Sequence, residues 1–255
     1  MWLRLRQICL VAENLAPVEE ELIDVLGVEK CVSDLGVGVF GLANGLFPIG
    51  NQLLEVVSPI KEDTAAGRYL ERRGGNGGYM VITQCDDEAP RRARIEELGI
   101  RQVGNYETDE FKNLQMHPKD TGGSFFEINE QVGPDAHELD GAWEPAGPNW
   151  QRARRLERVT GIAAAEVQCD DPQKVAERWA EIAQIPLQQV DGVATMPLDN
   201  AAVRFVPCRD GRPEGLGAID IATADRDAIL KAAATRGAVS GDAQVALGGI
   251  RINLI

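Results

Sequence analysis

The chain has 255 residues, 44 % apolar and 26 % charged, the make-up of an ordinary globular protein with room for two domains of roughly 100–150 residues each. Its 40 acidic and 26 basic residues leave a formal charge of −14, which repels phosphate backbones and anionic lipid and so argues against nucleic acid and membrane surfaces as partners. No stretch approaches the roughly 20 apolar residues of a membrane helix, and the opening MWLRLRQICLVAENL, interrupted by Gln7, Glu13 and Asn14, reads as a strand rather than a secretion signal. The five cysteines are odd in number, scattered and never in a CxxC pair, which points to a reducing cytoplasm rather than a disulfide framework or zinc knuckle.

The chain passes four times through strand, helix and short strands. The first pass is a strand over 5–12, a helix after Pro17 with Val18, Leu22, Val25 and Leu26 at helical spacing, and strands over 37–42 and 52–57. GLANG and RRGGNGG read as tight turns, since no Lys-Ser/Thr helix start follows either of them. The second pass has a strand over 79–84, the acidic pair Asp86-Asp87, a helix over 89–98 closed by Gly99, and strands over 101–106, 113–117 and 124–129. Residues 133–152, GPDAHELDGAWEPAGPNWQR, have no period and read as an inter-domain connection whose Trp143 and Trp150 dock on one of the domains, with His137 facing solvent.

The third pass has a strand over 163–169, a helix from Asp170-Asp171-Pro172 to residue 183, and strands over 193–197 and 202–207. The fourth has a strand over 217–223, a helix from Asp225 to residue 234, and strands over 244–246 and 250–254. VAENLAPVEEEL, TQCDDEAPRRARIEEL, VQCDDPQKVAERWAEI and IATADRDAILKAAA each place acidic or amide residues between a strand and a helix. A period of about 60–80 residues is too long for a solenoid and fits four supersecondary units. The expected class is α+β with four tandem βαβββ modules; a generic α+β sandwich is the plainer alternative.

Three segments of the first half carry a family resemblance. HPKDTGGSFFEINE (117–130), DTAAGRYLERRGGNGGYMVITQ (63–84) and GNQLLEVVSP (50–59) resemble the last hairpin, the linker helix with the following strand, and a ligand-bearing strand of the vicinal oxygen chelate superfamily. That superfamily includes glyoxalase I, methylmalonyl-CoA epimerase, extradiol dioxygenases and bleomycin-resistance proteins, and the texture here is most similar to the epimerases. The resemblance implies two glyoxalase-like curved-sheet domains, over 1–132 and 156–255, joined by a Gly/Pro-rich linker over 133–155. The second half matches in module pattern only.

Carried over strand by strand, the resemblance places the four ligand positions of the family's divalent ion on Gln7, Glu55, Met80 and Glu127. Strand parity puts Leu5, Gln7 and Cys9 on one face, and Leu53, Glu55 and Val57 on another. Two carboxylates and an amide on a buried face need a balancing cation or proton. The expected cofactor is therefore a divalent metal, Mn²⁺, Mg²⁺, Fe²⁺ or Co²⁺, on Gln7, Glu55 and Glu127. Oxygen donors favour the first two, a thioether favours neither, and no imidazole occupies a ligand position. The resemblance would place an epimerase's catalytic glutamate near 37–40, where there is no acid, so methylmalonyl-CoA epimerisation itself is not expected. In the second half the corresponding positions are Ala164, Arg204, Ala218 and Asn253, with Glu166 and Asp220 placed to pair with Arg204.

The candidate catalytic residues are Glu55, Glu127 and His117. His117 is either a base or late metal ligand at the mouth of the cup, or an ordering residue of its hairpin. Tyr79, Met80 and Arg72 are candidate ligand-binding residues, although Met80 also suits a core position and Arg72-Arg73 a solvated helix face. Two function classes follow: a metal-assisted lyase, isomerase or dioxygenase-type enzyme acting on a small carbonyl, enolisable acid or acyl thioester, or a metal-free protein that sequesters a small molecule. A third reading, a structural interaction protein, requires a first cup filled by side chains. The expected partner is a small-molecule ligand, with the chain a monomer or homodimer.

Overall fold

The first apolar run forms β1 (Leu3–Val11), followed by α1 (Leu15–Leu26), β2 (Leu42–Ile49) and β3 (Gln52–Pro59). Helix α2 (Ala65–Arg73) leads to β4 (Gly77–Cys85), α3 (Ala89–Glu97), β5 (Phe111–Met116), the short α4 (Pro118–Thr121) and β6 (Phe125–Gln131). An irregular strap then reaches β7 (Val159–Cys169), α5 (Pro172–Ala183), β8 (Gln188–Val190), β9 (Val193–Pro197) and β10 (Ala202–Pro207). The last pass is β11 (Gly215–Thr223), α6 (Arg226–Thr235), β12 (Val239–Gly241), β13 (Gln244–Leu247) and β14 (Ile250–Leu254). The computed structural model describes residues 1–33, 35–104 and 106–255, with Leu35 described by its backbone alone.

The protein is α+β, with two glyoxalase-like domains, each built on one mixed sheet. The first sheet runs β2-β3-β1-β4-β6-β5, the second β12-β13-β14-β11-β7-β10-β9-β8. Within each module the first and last strands pair in parallel (β1 with β3, β4 with β6, β7 with β10, β11 with β14). The two modules of each half then join antiparallel through β1 with β4 and β7 with β11. Modules therefore pair within each half of the chain.

The third and fourth passes are complete βαβββ units. In the first and second, the short strand after the helix shrinks to single bridges, Val32 with Leu46 and Gln102 with Met116. That shrinkage corrects the strand expected over 37–42: residues Leu35–Phe40 form a 3-10 turn. It also corrects the strand expected over 101–106, of which Asn105 lies outside the described residues.

A second correction concerns GLANG, which lies largely in β2 rather than in a turn. A Cβ at Gly45 would meet Glu19 Oε1 at 2.0 Å and the Lys30 side chain at 2.9 Å, so the Glu19–Lys30 ion pair lies directly over this glycine. Of RRGGNGG, the last two glycines open β4. At Gly78 a Cβ would sit 2.3 Å from the Leu216 carbonyl oxygen, which lets β4 and β11 pass closely where the two sheets meet.

One apolar core serves both halves. Val18, Leu22, Val25 and Leu26 of α1 bury as their spacing predicts, together with α5, α6 and one face of each sheet. Trp179 of α5 is its centrepiece. It stacks on Phe126 at 4.2 Å and 7°, meets Phe205 edge-on at 5.4 Å, and donates from Nε1 to the Gly122 carbonyl at 3.3 Å. Cross-half hydrogen bonds reinforce it. Gln52 Nε2 donates to the Ile162 carbonyl at 2.6 Å while Ile162 N–H donates to Gln52 Oε1 at 2.7 Å, and Asn200 makes the same reciprocal pair with Leu5. Among the described residues no helix is long and apolar enough to cross a membrane.

Candidate functional site

The other face of the first sheet, its inner face, carries Glu55 on β3 and Glu127 on β6. Alternation sends Leu54, Val56, Phe126 and Ile128 to the shared core and leaves Leu53, Val57 and Phe125 with the carboxylates. On β1 a register shift between Leu5 and Gln7 breaks the parity: Leu5 joins the shared core while Gln7, Cys9 and Val11 face inward. The expectation that Leu5 shares a face with Gln7 is corrected by this bulge. A second shift, opposite Cys9 and Leu10, sets both Tyr79 and Met80 on the inner face.

Gln7 and Glu55 meet directly: Gln7 Nε2 donates to Glu55 Oε2 at 2.9 Å, and Asn44 Nδ2 of β2 donates to Oε1 at 2.7 Å. Glu127 Oε2 accepts from Asn129 Nδ2 at 3.2 Å and Asn113 Nδ2 at 3.3 Å. Burial pushes the Glu127 carboxyl up to about 7; the Asn129 amide opposes that shift, the charge of Glu55 adds to it, and the Gln115 and Asn113 amides oppose it. Burial, and then the neighbouring Glu55, raise the Cys9 thiol well above its ordinary range, so it is an inert group on this face. Burial likewise raises the Tyr79 phenol.

The surrounding wall is aromatic. Tyr69 of α2 lies edge-on to Tyr79 at 4.9 Å, and Tyr79 edge-on to Phe125 at 5.0 Å. Arg72 is exposed at the rim, with its guanidinium 5.1 Å from the Tyr69 ring centre. The strap closes another side. Trp143 and Trp150, each 1 % exposed, pack on this face, and Arg6 lies over both rings at 5.4 and 5.1 Å. Burying two such rings, at 150–250 Å² each, contributes roughly 4–6 kcal/mol apiece before entropy is counted. Arg4 and Arg6 donate to five strap carbonyls between Ala136 and Gly141, which ties the strap down.

The inner face is not sealed. Glu55, Tyr79, Met80, Ile82, Phe125 and Glu127 each keep 5–8 % exposure, whereas Leu54, Val56, Val81, Phe126 and Ile128 on the opposite face of the same strands are at 0 %. The residues around the two carboxylates are thus the ones on these strands that retain a trace of exposure.

His117 does not join them. It caps α4, accepting at Nδ1 from Lys119 N–H at 3.1 Å, while its backbone N–H donates to the Arg101 carbonyl. Asn44, Asn113 and Asn129 are neighbours that the sequence reading missed; Trp143, expected to dock on a domain, does so on this face and reaches Gln7. Asn44 and Asn113 lie on other strands than the carboxylates and meet them through strand pairing, while Asn129 shares a face with Glu127 two residues along β6.

The donor set does not fit a divalent ion. Gln7 Oε1 accepts from Trp143 Nε1 at 2.8 Å, the amide nitrogens of Gln7 and Asn44 face Glu55, and Met80 offers a thioether. Among the described residues no group of three or more His, Cys, Asp or Glu is arranged to hold a metal.

The second inner face is different in kind. Register makes Ala164, Arg204, Ala218 and Asn253 the counterparts of Gln7, Glu55, Met80 and Glu127. Arg204 makes a two-pronged ion pair with Asp220 and approaches Glu166 at 3.7 Å; Arg251 pairs with Glu166 at 2.8 Å. Asn253 Nδ2 donates to Asp220 at 2.7 Å. Four charges cancel across this face, which explains how two acids stay buried there.

No family model matches the sequence. The ethylmalonyl-CoA/methylmalonyl-CoA epimerase of Cereibacter sphaeroides is 26 % identical over 137 residues, covering 51 % of this chain and 98 % of that protein. A solved hypothetical protein from Staphylococcus aureus is similar over 100 % of this chain and 99 % of its own, with a TM-score of 0.68 at 12 % identity. The methylmalonyl-CoA epimerase of Mycobacterium tuberculosis matches 51 % of this chain and 89 % of its own, with a TM-score of 0.45 at 21 % identity. The full-length match shows that the two-domain fold recurs as a unit.

Proposed function

We propose that the first inner face is a small-molecule site at which Glu127 moves a proton to and from carbon on an enolisable acid or acyl thioester, without a divalent ion. The observation that carries this reading is the contrast between faces: among the described residues, Glu55, Tyr79, Met80, Ile82, Phe125 and Glu127 keep 5–8 % exposure, while Leu54, Val56, Val81, Phe126 and Ile128 behind them are at 0 %. A buried carboxylate held by amide donors is expensive, and such groups gather where chemistry is done.

The two carboxylates have different surroundings. Glu55 is clamped by two amides; Glu127 lies among Met80, Phe125 and Tyr79 with its acidity weakened to about 7. A base whose pKa lies near the working pH combines an available lone pair with enough basicity. Glu127 takes the proton beside the carbonyl; the C–H electron pair becomes the enolate, and the same proton or one from solvent returns to the carbon. The relative named as an ethylmalonyl-CoA/methylmalonyl-CoA epimerase supports the acyl-thioester class. Strand β2 carries no acid, so a two-base epimerisation is not part of the proposal.

The test is exchange of the α-proton in D₂O, followed by NMR, for a panel of acyl-CoA thioesters and 2-oxo acids with metal-free protein. Exchange that falls about 10²–10⁴-fold in Glu127→Gln supports the reading. Saturable binding with no exchange across the panel replaces it with the second reading, a sequestering protein, which the aromatic wall and tied-down strap favour.

A further inference from the structure

Trp143 belongs to the strap, yet its indole ends on the first inner face, edge-on to Phe111 at 5.3 Å and beside Arg6. An indole N–H donates and cannot accept. The Gln7 atom facing it at 2.8 Å is therefore the amide oxygen, and the same amide's nitrogen faces Glu55 Oε2 at 2.9 Å. A half-turn of the amide would set N–H against N–H at one end and oxygen against carboxylate at the other, so both contacts would turn repulsive. Asn44 Nδ2 donates to the second oxygen of Glu55.

We infer that Trp143 is a positioning residue of the first site: by fixing the Gln7 amide it makes an amide clamp, rather than a divalent cation, the counter-group of Glu55. Trp143 acts on Glu55 through Gln7 and touches no reacting atom. The strap between the domains is thus part of the site, and it decides which charge-balancing chemistry the site uses. The inference concerns the same face as the proposed proton transfer but needs no reaction to hold, so its test reads cation response and not turnover.

Gln7→Glu keeps the shape of the side chain. The indole still finds an oxygen, but the other oxygen now meets Glu55, creating an uncompensated buried charge. The expected result at pH 8 in chelator is a melting temperature lower by roughly 10 °C, restored by millimolar Mn²⁺. Wild type should be indifferent to Mn²⁺. Trp143→Phe, checked for native circular dichroism, frees the Gln7 oxygen to turn inward; Mn²⁺ should then raise its melting temperature by about 3 °C, and adding Glu55→Gln should abolish the rise. One Mn²⁺ bound per wild-type chain in a Glu55-dependent way would overturn the inference. So would a Gln7→Glu protein with wild-type stability and no Mn²⁺ response, or a folded Trp143→Phe protein as indifferent to Mn²⁺ as wild type. Absence of α-proton exchange in wild type, with the melting shifts as expected, would tell against the proposed reaction alone.

Discussion

Asn44 and Asn113 occupy matching places in the two modules of the first sheet, and each donates its side-chain amide to that module's carboxylate. Asn44 stands opposite Val57, two residues beyond Glu55; Asn113 stands opposite Asn129, two residues beyond Glu127. The bonds are 2.7 Å and 3.3 Å long. The repeat thus preserves an amide–carboxylate pair on each side. Their further partners differ in origin: Glu55 receives the Gln7 amide from β1, whereas Glu127 receives the Asn129 amide from its own strand.

The burial of Glu127 predicts a pH-dependent stability. Glu127 has its folded-state pKa raised from 4.5 to about 7, so the folded protein binds its proton more tightly than the unfolded chain does. Its contribution is fully present below pH 4.5 and is lost as pH rises through 7, a change of roughly 3 kcal/mol for one buried group. Glu127→Gln should match wild type at pH 5 and exceed it by about 2–3 kcal/mol at pH 8 in urea unfolding. Equal offsets at both pH values would show that Glu127 does not carry the proton.

Trp179 joins the halves. Trp179→Ala removes the stack on Phe126 and the edge contact with Phe205 from the shared core, and should cost about 3–5 kcal/mol. Wild type should unfold in one transition, whereas the variant is expected to show two by fluorescence and circular dichroism. A single unshifted transition would mean that the halves are held by other contacts.

Much of this was readable in the sequence. The helix of Val18, Leu22, Val25 and Leu26 follows from spacing alone, and parity put Glu55 with Leu53 and Val57. Leu5 was misplaced because a bulge adds a residue without altering composition. Strand β2 was hidden because Asn44-Gly45 has the chemistry of a turn, while its glycine answers to Glu19 on a distant helix. Trp143 gave no periodic signal at all; its role depends on the strap folding back across β1. Amide partners of carboxylates are set by cross-strand register, which no local pattern encodes.

Gly78→Ala tests the close passage of β4 and β11. The added carbon would press on a backbone oxygen at 2.3 Å, which cannot rotate away, so the substitution should cost about 2–3 kcal/mol. A melting temperature within one degree of wild type would disprove that closeness.

On the second inner face, Arg204→Ala strands Asp220 without its cation and should destabilise by about 3–5 kcal/mol. Arg204→Leu combined with Asp220→Leu should recover most of that loss, because it removes both charges together. A double-mutant cycle in denaturant measures the coupling; additive losses would contradict the ion-pair account.

The central claim is that the first inner face holds its two carboxylates on amides, with Glu127 carrying a proton up to about pH 7. The most direct measurement is the ¹³C NMR titration of the Glu127 side-chain carboxyl in metal-free protein, in wild type and in Glu55→Gln. The account predicts a midpoint near 7 in wild type and a lower one once the charge of Glu55 is gone. A midpoint near 4.5, or one that Glu55→Gln leaves unmoved, would contradict it.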